Sequence, residues 1–228
     1  MIKHHPKFEL IQSFVNGDLP ASLSAGVSIH ASMCPTCQRQ ISLLTDQVAE
    51  LSFDNAITSS DELASSQVVE GLSMLNFEAM IDGITKFDDI DTVKTVETKT
   101  ISFRDKSYKL PKALNNMMLG KIAQIGKLAR TRVQLDENQI HTSLLHIEPT
   151  GSVPEHTHKG FELTLLLAGS FHDDTGEYVK GDFIMLDGSN THNPVSDKGC
   201  LCYTVANDAL HFTQGINKLL NPIGSFIY

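Results

Sequence analysis

Two kinds of hydrophobic pattern divide this chain. Up to about residue 80 the apolar residues recur with the spacing of one face of an α-helix, whereas beyond residue 100 they form short runs between turn residues. We therefore predict an α+β protein with a small helical N-terminal domain and a C-terminal antiparallel β-barrel of the jelly-roll type. The predicted boundaries are 1–82 for the helical domain, 83–100 for a linker rich in Asp, Thr and Lys, and 101–228 for the barrel.

Four helices are predicted in the N-terminal part. Gly17 offers a left-handed end for the first, Pro20 suits the first turn of the second, and Pro35 opens the third. The predicted helices cover about 6–17, 20–33, 35–53 and 60–80, with a polar break at 54–60. The fourth helix carries more apolar surface than a three-helix unit could cover, so it either packs onto the second domain or binds a partner.

Beyond the linker, the apolar runs predict short strands around one short helix near 110–117. Turn signals such as Pro149-Thr150-Gly151 and Asp187-Gly188 separate the runs. The predicted strands are 101–108, 121–135, 140–147, 161–167, 182–186, 201–205 and 210–212. Many short strands at regular spacing are typical of a small antiparallel barrel.

Composition narrows the classes of function. The chain has 228 residues and a formal net charge of -9, which argues against direct binding to DNA or RNA. It contains no apolar run of membrane-spanning length and no signal-peptide core in residues 1–20, so we expect a cytoplasmic protein without membrane association. The four cysteines form two close pairs, Cys34/Cys37 and Cys200/Cys202, which in a reducing compartment indicates metal or redox chemistry rather than disulfides.

Four residues of the predicted barrel, here called the barrel cluster, are candidate metal ligands: His156, His158, Glu162 and His192. Residues two apart on a strand point the same way, so His156 and His158 can both face the barrel interior. Glu162 begins the next strand, and His192 follows the turn-and-strand unit 178–186. Three imidazoles and a carboxylate suit zinc, iron, manganese or nickel, and residue type alone does not choose among them.

A second candidate metal site lies near the N-terminus, where His30, Cys34 and Cys37 form the motif H-x3-C-x2-C. His30 and Cys34 lie one helical turn apart on one face, and the turn that follows brings Cys37 back to them. A closed tetrahedral zinc site needs a fourth ligand, for which His5 is the natural candidate and His4 the less favoured one. A thioredoxin-like redox pair is the alternative, but no βαβ pattern surrounds these cysteines.

The remaining histidines and the second cysteine pair are predicted to have no ligand role. Cys200 and Cys202 share a face of one strand at the stretched limit for a disulfide, so we expect two small buried hydrophobes, with a redox sensor as the alternative. The histidines expected to be structural or solvated are His141, His146, His172 and His211.

The barrel motif resembles the first motif of the cupin family, which pairs His-x-His with a Glu and a Gly. Residues 151–162 read GSVPEHTHKGFE, and Gly169 follows. Residues 181–192 resemble the second cupin motif, although Asp187 and Ser189 stand where the family usually has Pro and Gly. The resemblance implies a cupin fold, which includes dioxygenases, isomerases and ligand sensors.

The N-terminal motif resembles the zinc-binding anti-sigma domain, a helical module that binds bacterial sigma factors of the extracytoplasmic-function type. Followed by a cupin, it is similar to the layout of the ChrR family of anti-sigma factors over nearly the whole chain. This resemblance implies a sigma factor as partner, sequestered by the N-terminal domain, and an oxidative or small-molecule signal that the cupin domain senses to relieve inhibition. It further implies zinc at His5, His30, Cys34 and Cys37, here called the N-terminal cluster, and zinc or another divalent transition metal at the barrel cluster.

The resemblance also implies that the protein is not an enzyme. A metal-dependent cupin enzyme, a dioxygenase or isomerase acting on a small organic substrate, is the alternative function. Such an enzyme should keep an open coordination position and a pocket with positioned polar groups.

Overall fold

The structure is a computed structural model that describes residues 1–63, 77–86, 97–208 and 211–212. Its element order, helices first and antiparallel strands afterwards, confirms the predicted α+β class. Among the described residues the helices are α1 (Phe8–Asn16), α2 (Ala21–Met33), α3 (Pro35–Leu63) and α4 (Phe77–Thr85), and a 3-10 turn covers Lys112–Leu114. The strands are β1 (Thr100–Phe103), β2 (Lys106–Lys109), β3 (Met118–Leu119), β4 (Ala123–Ile125), β5 (Leu128–Gln134), β6 (His141–Ile147), β7 (Gly151–Ser152), β8 (His156–Thr157), β9 (Phe161–Asp173), β10 (Gly176–Val179), β11 (Phe183–Asp187), β12 (Thr191–His192), β13 (Val195–Ser196), β14 (Cys200–Ala206) and β15 (His211–Phe212).

The first three helices begin or end at the residues that the sequence indicated. Gly17 has a φ of 79°, and its N–H donates to the Phe14 carbonyl oxygen at 3.2 Å, which closes α1 with a left-handed residue. Pro20 directly precedes α2 and Pro35 begins α3, positions at which the missing proline N–H has no intrahelical partner to lose. None of the described helices is long and apolar enough to cross a membrane.

Helix α3 is longer than predicted, because it runs through the polar break expected at 54–60. That prediction is wrong because the segment contains no Gly or Pro, and each Ser, Thr, Asn or Asp lowers helix propensity by no more than about 0.7 kcal/mol. Helix α4 continues to Thr85, beyond the helix end predicted near 80. Residues 64–76 of the predicted fourth helix and 87–96 of the predicted linker lie outside the described residues.

Two predicted strands are hairpins in the structure. The predicted strand 101–108 is divided into β1 and β2 at Arg104, which has a φ of 47°. The predicted strand 121–135 is divided into β4 and β5 at Gly126, which has a φ of 55°. The residues on either side of a two-residue turn pair with each other, so the alternation of inward and outward side chains shifts by one position there. In strands of only three or four residues, such a shift is too small to reveal the division from the hydrophobic pattern.

An antiparallel sheet of ten strands, counted over the described residues, forms the main wall of the barrel. The strand order is β3-β5-β6-β14-β9-β13-β7, with β4 on β5 and with β10 and β11 on β9. Strands β12, β8 and β15 form a smaller sheet. Strand β9 is central because it pairs with β14 on one side and with β11 and β10 on the other.

Helix α2 packs against the outer face of this sheet. The side chains of Leu163 on β9 and Tyr203 on β14 share one hydrophobic core with those of α2. The packing is close, because a Cβ at Gly26 would lie 2.7 Å from Cδ2 of Leu163. The Tyr203 hydroxyl also donates to the Ser22 carbonyl oxygen at 2.8 Å. The opposite face of the same strands, represented by Cys202, forms a second core inside the barrel.

The chain divides into two compact units. Met1–Leu43 and Thr98–Tyr228 form one unit, and Leu44–Glu97 form the other. The first two helices and the start of α3 therefore belong to the same unit as the barrel. The module boundaries at 82 and 100 stay predictions from the sequence.

Candidate metal centres

The structure brings together the four predicted residues of the N-terminal cluster, whose ligand atoms all lie within 4.8 Å of one another. Nε2 of His30 is 3.3 Å from Sγ of Cys37. Nδ1 of His5 is 3.4 Å from Sγ of Cys34 and 3.5 Å from Sγ of Cys37. A tetrahedral zinc ion, with its usual bond lengths to nitrogen and sulfur, spaces its ligand atoms roughly 3.3–3.8 Å apart. Donor set and spacing therefore fit zinc.

Secondary structure and hydrogen bonds aim these side chains. His30 lies in the last turn of α2, Cys34 follows the end of that helix, and Cys37 lies in the first turn of α3. The Nδ1–H of His30 donates to the Gly181 carbonyl oxygen at 2.8 Å, which leaves Nε2 to face the cluster. Burial lowers the pKa of His30 and favours its neutral, metal-binding form. Burial and the adjacent Cys34 raise the pKa of Cys37, so a thiolate here needs a compensating cation.

The structure also brings together the four residues of the barrel cluster, each no more than 8% exposed. His156 on β8 and His192 on β12 face each other across the ladder, and their Nε2 atoms are 2.9 Å apart. Nε2 of His158 is 3.4 Å from Nε2 of His192. Glu162, near the start of β9, places Oε2 at 2.7 Å from Nε2 of His158 and 3.5 Å from Nε2 of His192. Four donor atoms thus converge on one point.

The shifted pKa values of His156 and Glu162 favour the protonation states that bind a cation. Burial lowers the pKa of His156 to about 3, and its Nδ1–H donates to the Pro154 carbonyl oxygen at 2.8 Å, so a neutral Nε2 points inward. Burial favours the neutral form of Glu162, but contacts with His158 and His192 outweigh it and hold the pKa of this carboxyl well below its usual range. Oε2 of Glu162 makes no contact of hydrogen-bond geometry with the described chain, despite its short distance to His158. A shared divalent cation would satisfy these atoms, and the donors do not specify which metal.

A small cavity of about 30 Å³ adjoins the barrel cluster. Its wall is mostly apolar, with hydroxyls from Thr164 and Thr204 and the thiol of Cys202. This volume suits one or two water molecules and is too small for an organic substrate.

Cys200 and Cys202 are free thiols with exposures of 0% and 2%. Their sulfur atoms are 4.0 Å apart, and the hydrogen bond from Cys202 lowers the pKa of Cys200. The structure therefore places the pair as buried side chains without a disulfide, one of them facing the cavity.

Asp182 is a buried residue that the sequence analysis missed. Its Oδ1 accepts hydrogen bonds from the backbone N–H groups of Lys3 at 2.7 Å and His4 at 3.0 Å. Its Oδ2 accepts from the N–H of Val179 at 2.8 Å. The His4 ring packs against Tyr178 with centroids 4.9 Å apart, which takes His4 away from the N-terminal cluster. The local sequence does not indicate the hydrogen bonds to Lys3 and His4, because these residues are 179 and 178 positions away from Asp182.

The other histidines take no part in either cluster among the described side chains. His146 is 2% exposed and stacks on Phe103 with ring centroids 5.1 Å apart. His141 and His172 are exposed. The side chain of His211 lies outside the described residues.

Known proteins are similar to the barrel part of the chain and to nearly its whole length. Residues 127–209 match the family described as the ChrR cupin-like domain. The anti-sigma-E factor ChrR of Cereibacter sphaeroides is 25% identical, and the similarity covers 97% of each chain. The solved complex of Rhodobacter sphaeroides SigE with the anti-sigma ChrR matches with a TM-score of 0.54 and 21% identity, over 90% of this chain and 99% of that one. An RmlC-like cupin protein from Ralstonia eutropha matches with a TM-score of 0.38 and 16% identity, over 44% of this chain and 69% of its own.

The fold and its two clusters define a cupin protein with an additional His–Cys cluster on N-terminal helices. The chain is similar to ChrR over 97% of its length, and the resemblance that its motifs indicated is confirmed.

Proposed function

We propose that the chain is an anti-sigma factor that sequesters a sigma factor of the extracytoplasmic-function type through its N-terminal helices, in the cytoplasm. One observation carries the proposal: the similarity to a protein named anti-sigma-E factor extends over 97% of both chains, and so spans both the helical part and the barrel. The solved structure of similar fold is a complex between such a protein and its sigma factor.

Exposed apolar side chains on α3 and α4 support a protein partner. Leu51 is 66% exposed, Phe53 71% and Ile84 72%. The exposed large hydrophobic residues of these two helices, here called the apolar helix surface, are Leu43, Val48, Leu51, Phe53, Met80, Ile81 and Ile84. Large hydrophobic side chains exposed in this number on two helices are typical of a surface that becomes buried in a complex. We propose that the sigma factor covers it.

The two metal centres would have separate roles. Zinc at the N-terminal cluster would join the N-terminal arm, α2 and the start of α3 into one partner-binding element. Zinc or another divalent transition metal at the barrel cluster would form the site where an oxidative or small-molecule signal acts. Because α2 carries His30 and packs directly on β9 and β14, a change inside the barrel has a short path to the helices.

Co-expression with a sigma factor encoded next to this protein tests the proposal. We expect a stable one-to-one complex that survives size-exclusion chromatography. Replacing Cys34 and Cys37 with Ser should release the partner and lower bound zinc by about one equivalent per chain. Replacing Cys200 and Cys202 with Ser is the matched control and should leave the complex intact. Failure of the wild-type chain to bind any adjacent sigma factor would overturn the proposal.

A metal-dependent cupin enzyme is the second candidate, supported by the convergence of three histidines and a glutamate in the barrel cluster. The cavity volume of about 30 Å³ favours the regulator, because an organic substrate needs more room. Elemental analysis separates the two functions. Two zinc ions per chain favour the regulator, whereas one zinc together with iron or manganese, and turnover of a small organic substrate, favours the enzyme.

A further inference from the structure

The residues just before His5 are held by the barrel. Asp182 is fully buried, and its Oδ1 accepts the backbone N–H groups of Lys3 and His4. At the next peptide group, the N–H of Phe183 donates to the His4 carbonyl oxygen at 3.0 Å. An N-terminal segment ordinarily frays unless it is tied down. These three hydrogen bonds fix the backbone immediately before a ligand of the N-terminal cluster.

The same turn of the barrel orients a second ligand. The Gly181 carbonyl oxygen accepts the Nδ1–H of His30 and so directs Nε2 toward the cluster. Gly181 has a φ of 95°, a backbone conformation that favours glycine, and its α-carbon lies beside the Ile2 side chain of the N-terminal arm. The turn at residues 181–183 therefore hydrogen-bonds to His30 and to the backbone just before His5.

This turn is also tied to the strand that carries a barrel-cluster ligand. The N–H of Gly181 donates to the Leu166 carbonyl oxygen at 2.9 Å, and the N–H of Leu166 donates to the Asp182 carbonyl oxygen at 3.2 Å. Leu166 lies on β9, four residues after Glu162. The path from the barrel cluster to His5 thus consists of one short strand segment and a buried carboxylate.

We propose that Asp182 is a positioning residue for the N-terminal metal centre, and that the barrel thereby controls how firmly His5 holds the metal. Outer groups that orient metal ligands typically change metal affinity 10- to 100-fold when removed. In metal-loaded protein, a shift of β9 at the barrel cluster would move the turn, release the N-terminal arm and weaken the N-terminal centre. The inference rests on the metal ligation in the proposed function, but its test needs no sigma factor.

Cobalt substitution of the full chain isolates the N-terminal centre. Thiolate-to-cobalt charge-transfer absorption reports the ion bound by Cys34 and Cys37, whereas the barrel cluster offers no sulfur ligand. We expect Asp182→Ala to accelerate loss of this absorption to excess chelator by about tenfold or more. Asp105→Ala, which removes an exposed carboxylate from the β1–β2 turn, should leave the rate unchanged.

A second pair of variants leaves the barrel untouched. Lys3→Pro deletes the N–H that donates to Asp182, and Lys3→Ala keeps it. Lys3→Pro should accelerate cobalt loss in the same direction as Asp182→Ala, and Lys3→Ala should match the wild type. This pair decides the question even if Asp182→Ala does not fold.

The background variant His5→Ala distinguishes positioning from a general structural effect. If Asp182 acts through His5, adding Asp182→Ala or Lys3→Pro to His5→Ala should produce no further acceleration. The proposal is overturned if Lys3→Pro releases cobalt at the wild-type rate, or if the effects persist in full without His5.

Discussion

At the scale of single residues, a backbone carbonyl orients one histidine in each cluster. His30 donates through Nδ1 to the Gly181 carbonyl, and His156 donates through Nδ1 to the Pro154 carbonyl. In each case the backbone acceptor fixes the tautomer, and burial lowers the pKa, so that a neutral Nε2 faces the other ligands. The metal ligands could be predicted from their residue types and their spacing. The carbonyl partners were not, because neither spacing nor residue type indicates which backbone oxygen meets an imidazole.

His146 supports a prediction of pH dependence that is separate from the metal centres. Burial lowers its pKa, and neither ring nitrogen has a hydrogen-bond partner in the described chain. Below about pH 6.5 the unfolded chain therefore binds a proton that the folded chain resists, and stability falls as the pH decreases. Urea denaturation of His146→Phe should show a shallower loss of unfolding free energy below pH 6.5, by up to about 1.4 kcal/mol per pH unit.

The same variant provides its own control at alkaline pH. Between pH 7.5 and 8.5, where the wild-type His146 is neutral in both states, the two proteins should depend on pH equally. Parallel curves of stability between pH 7 and 5 would contradict the assignment of His146 as a buried neutral group.

At the scale of elements, α2 is the link between the helices and the barrel. His30 lies in its last turn, and Gly26 packs against Leu163 of β9. The Ser22 carbonyl oxygen accepts a hydrogen bond from the Tyr203 hydroxyl. Helix α2 has buried residues along most of its length, including polar ones. It therefore behaves as a core element of the barrel unit and not as a surface helix.

Gly26 tests this packing. Gly26→Val would place side-chain atoms into the space of Leu163 Cδ2, and overpacking of this kind costs about 1–3 kcal/mol. We expect a lower midpoint in thermal and urea denaturation. Gly83→Val is the matched control, because a Cβ at Gly83 meets no atom within 4 Å. An unchanged midpoint for Gly26→Val would show that α2 does not pack on the sheet as described.

Some elements were predictable from the sequence and others were not, for physical reasons. Gly17 and Pro35 fix backbone geometry locally, so the end of α1 and the start of α3 follow from the residues themselves. The end of α3 depended on small propensity differences, and the division of 101–108 depended on a turn at Arg104 that carries no glycine. The barrel motif was predictable because three of its four ligands, His156, His158 and Glu162, lie within seven residues of the chain. Asp182 was not, because its partners are 179 and 178 residues away.

At the scale of the whole molecule, the two compact units offer different surfaces. The unit of Leu44–Glu97 contains most of the apolar helix surface, while the unit that includes the barrel contains both metal clusters. The apolar helix surface and the metal clusters therefore lie mostly in different units, joined covalently through α3, which begins near Cys37 and continues to Leu63. Under the proposed function, α3 is shared by both activities.

The apolar helix surface gives the corresponding prediction. Replacing Leu51 and Phe53 with Asp places charges in the surface that we propose the sigma factor covers, and the affinity should fall at least about tenfold, since unpaired charges in an interface core cost several kcal/mol. Binding can be measured by titration calorimetry with purified sigma factor. Met118→Asp changes an exposed hydrophobic residue of the barrel and should leave the affinity unaltered. Equal loss in both proteins would place the interface elsewhere.

The contact between Lys3 and Asp182 also has a consequence for the order of events during synthesis. The two residues are separated by 179 positions, and a ribosome that adds about 5–20 residues per second needs roughly 10–35 seconds to cover them. For the later part of that interval, roughly 7–29 seconds, His30, Cys34 and Cys37 already exist while the carboxylate that anchors the N-terminal arm does not. Under the proposed role of Asp182, a nascent chain therefore passes through a stage in which the N-terminal arm lacks its anchor on the barrel.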